Sequence, residues 1–353
     1  MQYELLAFLR CPVTGKELQF QLLEETQTAY GSVVVNEIVA GLLFSPAGFM
    51  FPVLQGVPRL LVEAVYDYRS FLEQHVADYQ SRLIKLEQEY GSLLRRCATK
   101  NKKTKASFKW EWSFLDAEKK DKIWEKETDT LATVFLNETG LRKETCRNLY
   151  MADIGCGHGL MTQSMAEQTR KPVIGVELSR AVEKAYTHNR HANAWFIQAD
   201  LQYLPFREQE FELVYSSGVI HHTDNTHASL LKIEKLLKPK GILCIWLYHP
   251  QRNLYHRGAL LLRKLISKLP IRLAFLLIAT FIFPITFLIK KIRNKRRVNY
   301  REELIYLFDS FTPEFREEVP ASTAIEWLNE IGYTSISTTT TDQYGYSLSA
   351  VKT

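Results

Sequence analysis

The sequence predicts an α/β fold, a mostly parallel sheet whose strands alternate with helices. A small β-rich domain precedes the sheet, and an apolar helical insertion interrupts it late. Three observations carry this. From Leu149 onward, short apolar runs of strand length alternate with segments of helical period, the pattern of a parallel sheet with crossover helices. The first of those runs, LYMADIGCGHG (Leu149 to Gly159), reaches an acid at Asp153 and then breaks into glycines at 155, 157 and 159, as a buried strand does when it turns tightly into a helix. Residues 1 to 62, in contrast, read as short strands punctuated by turns.

At 353 residues the chain can bury a core of roughly 200 to 250 residues and still hold a small second domain. Its formal charge of +6 is misleading, because two acid-free tracts, KNKKTK (Lys100 to Lys105) and KKIRNKRR (Lys290 to Arg297), hold ten of the positive charges. The remainder is net negative by four, which excludes a general nucleic-acid-binding surface and leaves local basic patches for phosphate or an anionic membrane. The N-terminus lacks a basic start and a long apolar core, so no signal peptide is expected, and five scattered cysteines fit reduced thiols in the cytoplasm.

Within residues 1–62, CPVTGKELQF and IVAGLLFSPAGFMFPVLQGVPRLL give the strands. This stretch resembles the zinc-ribbon domain found beside many methyltransferases, with its C-P-x-C-x-G-x-L knuckle. Cys11 is kept, but Thr14, Phe44 and Ala47 stand where the other cysteines would be. One sulfur cannot hold tetrahedral zinc, so no metal is expected, and Phe44, Phe49, Phe51 and Val53 are expected to pack in its place. Residues 63–106 should hold a linking helix over 66–97, apolar at Phe71, Val76, Tyr79, Leu83 and Leu86, followed by a solvated lysine loop that marks a boundary near 100. Then comes SFKWEWSF (Ser107 to Phe114), an aromatic anchor for the preceding helix or, as its resemblance to the F-x-x-E-W segment of many small-molecule methyltransferases implies, a cofactor cover, and a helix expected from about Lys119 to Thr139.

The sheet follows. Strand two is PVIGVEL, ending in Glu177, and strand three is AWFIQADL, ending in Asp200. Strand four with its loop is EFELVYSSGVIHHT, and a lysine and proline turn in LLKPKGILCIWLYHP leads into strand five. A helix capped by Ser322 and stopped near Gly332 leads into strand six. The acids of interest all fall at strand C-terminal ends, where open α/β sheets bind ligands.

The pattern D-x-G-x-G-x-G at Asp153 to Gly159 resembles the first motif of the class I S-adenosylmethionine-dependent methyltransferases, and the likeness runs from about Ser107 to the C-terminus. It implies a Rossmann-like, seven-stranded methyltransferase sheet over 107–353, with YGYSLSAVKT as an antiparallel last strand inside it and residues 254–310 as a lid over the acceptor. It also implies S-adenosylmethionine as cofactor. A nicotinamide fingerprint would need its third glycine at 160, where Leu160 stands. A carboxylate at Glu177 suits the two ribose hydroxyls. Asp200 suits the adenine amine, with Leu201 adding a backbone contact. Asp153 would order water or the loop beneath the methionine group, while Gly155, Gly157 and Gly159 let the backbone approach. Cys156, Leu178 and Ser217 complete the expected cofactor set.

Methyl transfer needs a base only where the acceptor must lose a proton. His222 and His221 after strand four are the candidates, with Tyr248 and His249 at the end of strand five as further acceptor-side residues. The stretch SSGVIHHT, in place of an N-P-P-Y-like motif, looks like the small-molecule branch, and the apolar lid segment Leu273 to Ile289 points to a lipophilic or aromatic acceptor. Two alternatives stay open, an idle cofactor-binding or adaptor protein and a nicotinamide-dependent oxidoreductase. The uncharged Leu273 to Ile289 is close to the ~20 residues that span a bilayer. A single crossing between strands five and six would split one sheet across a membrane, and Pro284 is expected to interrupt the helix. Residues 254–297 are therefore expected to contact substrate, a membrane surface or a second copy of the chain in a homo-oligomer.

Overall fold

In the computed structural model, residues 1–113, 130–251, 254–294 and 300–353 are described, without the side chains of 108–113, 254–255, 293–294 and 302. A 3-10 turn at Tyr3–Ala7 leads into four antiparallel strands, β1 (Gln19–Tyr30), β2 (Val33–Phe44), β3 (Met50–Leu54) and β4 (Val57–Pro58). Cys11 is buried inside the turn that its backbone makes with Gly15 and Lys16. The apolar packing expected of this region runs through stacked Phe49 and Phe51 onto Tyr90.

Helices α1 (Ala64–Asp67), α2 (Arg69–His75) and α3 (Tyr79–Ser113) follow. Here the structure corrects the expected lysine loop, because residues 100–105 lie inside α3. Lysine is a good helix former, and two of these lysines find acids from other segments. Lys105 pairs with Glu63 at 2.8 Å and with Asp67, and Lys100 pairs with Asp224 at 2.9 Å. The aromatic side chains of SFKWEWSF beyond Ser107 and the start of the helix expected from Lys119 lie outside the described residues. The rest of that helix is α4 (Leu131–Thr139), followed by the short α5 (Lys143–Cys146).

The main sheet is built from β5 (Met151–Ile154), β6 (Val173–Glu177), β7 (Ala194–Gln198), β8 (Phe211–Ser217), β9 (Leu237–Tyr248), β10 (Tyr333–Thr341) and β11 (Gly345–Lys352). Their order is β10-β11-β9-β8-β5-β6-β7. The five strands β5 to β9 run parallel, and β11 lies antiparallel between β9 and β10, as the resemblance implied. Crossover helices α6 (Leu160–Ala166), α7 (Ala181–Thr187) and α8 (Thr226–Ile233) return the chain to the same edge, so that successive parallel strands present their C-terminal ends together. The lysine and proline turn expected before strand five is instead absorbed into β9, with Lys240 taking a left-handed φ of 63°.

The N-terminal sheet packs on the β7 edge and shares one buried core with the main sheet. Leu60 N–H donates to Gln198 O at 2.8 Å, and the buried Arg59 reaches Gln198 and Glu183. Between β9 and β10 lies the insertion, α9 (Leu254–Ile266), α10 (Ile271–Leu277), a π-helical turn at Ile278–Ile282, α11 (Phe283–Asn294) and α12 (Tyr300–Phe311), with α13 (Ala321–Glu330) after it. Pro284 does not break the helix. It lacks an N–H and would crowd the preceding turn, and the wider π turn directly before it accommodates both defects. Ser322 is not a cap, since α13 already begins at Ala321, after Pro320.

Candidate functional site

The glycine turn is shaped by hydrogen bonds back onto β6. Gly155 and Cys156 donate their N–H groups to Val176 O at 2.8 and 3.0 Å, which folds the loop over the strand end. A side chain at Gly155, where φ is +84°, would place its Cβ 2.3 Å from Val219, so the turn is closed to any other residue. Gly159 at φ +73° starts α6 and would meet Phe196 at 2.4 Å.

Three carboxylates stand where the strands end, each buried and each held differently. Asp153 accepts from Thr162 Oγ1 at 2.6 Å, tying the loop to the first turn of α6. Burial pushes its carboxyl up to about 7, against the Thr162 bond, which pulls it down. Glu177 accepts from Gly157 N–H at 3.2 Å and Ser179 N–H at 2.7 Å, one on each oxygen. Burial raises its carboxyl as well, with those bonds acting in opposition. Asp200 accepts from Gln202 N–H at 2.9 Å, capping the 3-10 turn Leu201–Tyr203, and from Asn101 Nδ2 at 3.0 Å. Asn101 also donates to Glu63 Oε1 at 3.1 Å, so α3 closes over this edge of the site.

This donor and acceptor set fits S-adenosylmethionine. A carboxylate offers about four lone-pair sites, and two bonds at Glu177 leave capacity for a ribose diol. Leu178 and Leu201 are half-buried just beyond two of the acids, Cys156 is buried, and Ser217 ends β8 half-buried opposite Trp246 of β9.

From that end of β8 a 3-10 turn, Ile220–His222, carries two buried histidines. His221 lies 4.4 Å, centroid to centroid, from both His222 and Tyr248, so the three expected acceptor-side residues come together. His249 follows directly, bonded through its N–H to Tyr344 O. His222 Nδ1 lies 3.0 Å from Phe315 O, and since a carbonyl only accepts, Nδ1 carries the proton. Its Nε2 lies 3.6 Å from Asp309 Oδ1, while Tyr248 OH donates to Asp309 Oδ2 at 2.8 Å. Burial lowers both imidazoles below the usual range, His221 the further, so both are neutral at pH 7. Both ring nitrogens of His221 are buried.

Asp309, Arg316 and Arg263 were not legible in the sequence. Arg316 lies 4.1 Å over the Tyr248 ring, and Arg263 donates to Pro313 O at 2.7 Å. They come from the insertion and the loop after it, and no local pattern marks them.

Residues 152–245 match the family described as Methyltransferase domain. That stretch is a methyltransferase domain by this match, and it holds the glycine turn, Glu177 and Asp200. Among curated relatives, "Arginine-hydroxylase NDUFAF5, mitochondrial" of Danio rerio is 28% identical over 137 residues, covering 38% of this chain and 39% of the relative. "27-O-demethylrifamycin SV methyltransferase" of Amycolatopsis mediterranei is 28% identical over 100 residues, 27% of this chain and 37% of the relative. The chain thus spans well under half the length of the curated relatives it matches. A methyltransferase structure from Mesorhizobium loti aligns at 17% identity and a TM-score of 0.41, over 64% of this chain and 100% of that one.

Proposed function

We propose that this chain transfers a methyl group from S-adenosylmethionine to an oxygen, nitrogen or carbon atom of a small, hydrophobic metabolite. One observation carries the reading: His221 and His222 after β8 and Tyr248 at the end of β9 form a buried cluster, which the insertion of largely apolar helices meets through Asp309 of α12. Bound at the strand ends, S-adenosylmethionine supplies a methyl carbon already activated by positive sulfur. The protein's work is then alignment and desolvation, and alignment can supply about 7 to 11 kcal/mol of the barrier. Glu177 would hold the ribose hydroxyls and Asp200 the adenine amine, while Asp153 fixes the turn through Thr162.

Where the acceptor must lose a proton, His222 takes it at Nε2. Its other nitrogen is committed to Phe315, and Asp309 stabilises the charge that the ring gains. A base so positioned contributes about 10²- to 10⁴-fold. The name of the Amycolatopsis relative supports a small-molecule acceptor, and the name of the Danio rerio relative supplies a second reading, hydroxylation of an arginine. Incubating the protein with methyl-labelled cofactor and a metabolite extract tests the first. The proposal expects a labelled lipophilic product and an equal amount of S-adenosylhomocysteine. Absence of both labelled product and S-adenosylhomocysteine would overturn it.

A further inference from the structure

The insertion is apolar on two faces, and among the described residues only one of them is covered. Ala274 and Ile278 are buried against Leu307, Phe308 and Phe311 of α12, which fixes the inner side of the long helix. On its other side Leu276, Phe281, Ile285, Leu288 and Ile292 recur at intervals of three to five residues, the spacing of one helical face across the π turn. All five are exposed, Phe281 by 66% and Ile292 by 71%. On α9, Leu261 and Leu265 are exposed four residues apart in the same way. Soluble chains rarely leave a continuous apolar strip of this length in water.

Charge says what covers it. No acidic residue occurs anywhere from Lys235 to Arg301, while residues 254–297 contain eleven lysines and arginines. Of these, Lys264, Lys268, Arg272 and Lys291 are exposed beside the apolar strip. A second copy of the chain seated on this face would set basic helix against basic helix with no acid on α9, α10 or α11 to pair them. The combination of apolar face and basic flanks is complementary to anionic lipid headgroups over acyl chains.

The helix Ile271–Ile292 is long enough to cross a bilayer, but its inner face and the ion pair of Lys290 with Glu303 at 2.5 Å bind it to α12. Crossing would strip those contacts, and the chain enters and leaves the insertion from one sheet. We propose that the outer face of α9, α10 and α11 docks this protein flat onto an anionic phospholipid bilayer. Docking there puts the lid between the bilayer and the acceptor cluster, because Arg263 of α9 bonds to Pro313 and Asp309 of α12 holds Tyr248.

Flotation of the full chain with phosphatidylcholine vesicles, with and without phosphatidylglycerol, tests this and needs no methyl acceptor, so it is independent of the proposed reaction. The expected result is at least a tenfold stronger partition, roughly, into the anionic vesicles, lost at high salt. The triple substitution Phe281→Ser, Ile285→Ser, Leu288→Ser should abolish flotation, and Lys264→Glu with Lys268→Glu should remove the preference for anionic lipid. The substituted side chains are exposed, and an unchanged thermal melt by circular dichroism confirms that each variant is folded. Equal partition into both vesicles would overturn the proposal, as would absence of flotation or retention that resists high salt and alkaline carbonate. So would a wild-type dimer, monomeric in the triple variant and indifferent to lipid, which would name a second copy as the occupant.

Discussion

The proposed cofactor side of the site and its proposed acceptor side differ in where their parts come from. Asp153, Glu177 and Asp200 belong to three successive strand ends, and their hydrogen bonds go mainly to backbone and near neighbours such as Gly157, Ser179 and Gln202. The acceptor side joins His221 and His222 to Tyr248, then to Arg263, Asp309 and Arg316 from the insertion and the loop that follows it. Parallel strands with crossover helices gather any acid placed at a strand end, whatever lies between. An insertion has no such rule, and its polar residues meet the site only through packing.

The sharpest break of this comparison is His222→Ala. If the acceptor must be deprotonated, turnover should fall by about 10²- to 10⁴-fold with cofactor affinity unchanged, read as initial rates beside calorimetry. Near wild-type turnover would remove His222 as the base.

Next in size is the pH dependence of Asp153. Its carboxyl is raised in the folded protein, so its contribution to stability is fully present below its unfolded value near 4 and is lost as pH rises through about 7. Asp153→Asn lacks this loss. Between pH 4 and pH 8 its stability should therefore gain on the wild type by up to about 4 kcal/mol, read as denaturation midpoints at each pH. Parallel curves for the two proteins would show that Asp153 does not titrate in this range.

Glu177→Ala and Asp200→Ala should each weaken S-adenosylmethionine binding by about 1.5 to 3 kcal/mol in calorimetry, the value of a hydrogen bond to a charged group. Unchanged affinity in both would dissolve the cofactor side as drawn. The smallest effect belongs to Asn101→Ala, which removes a shared donor from Asp200 and Glu63 and should cost about 1 kcal/mol of stability in a urea titration. It tests whether α3, a segment distant in sequence, belongs to the cofactor side at all.

By itself the sequence determined the strand order of acids, the glycine turn and the alternation that makes a parallel sheet, because each depends on periodicity or on one residue's backbone freedom. It also placed His221, His222 and Tyr248 on adjacent strand ends. Tertiary structure decided the rest. Lysines 100 to 105 look like a solvated loop until Glu63, Asp67 and Asp224 are brought beside the helix. Pro284 looks like a helix breaker until a π turn makes room for it. Asn101 meets Asp200, and Asp309 meets Tyr248 and His222, because separate elements pack together, and pairing across such distances leaves no period or spacing in the chain to read.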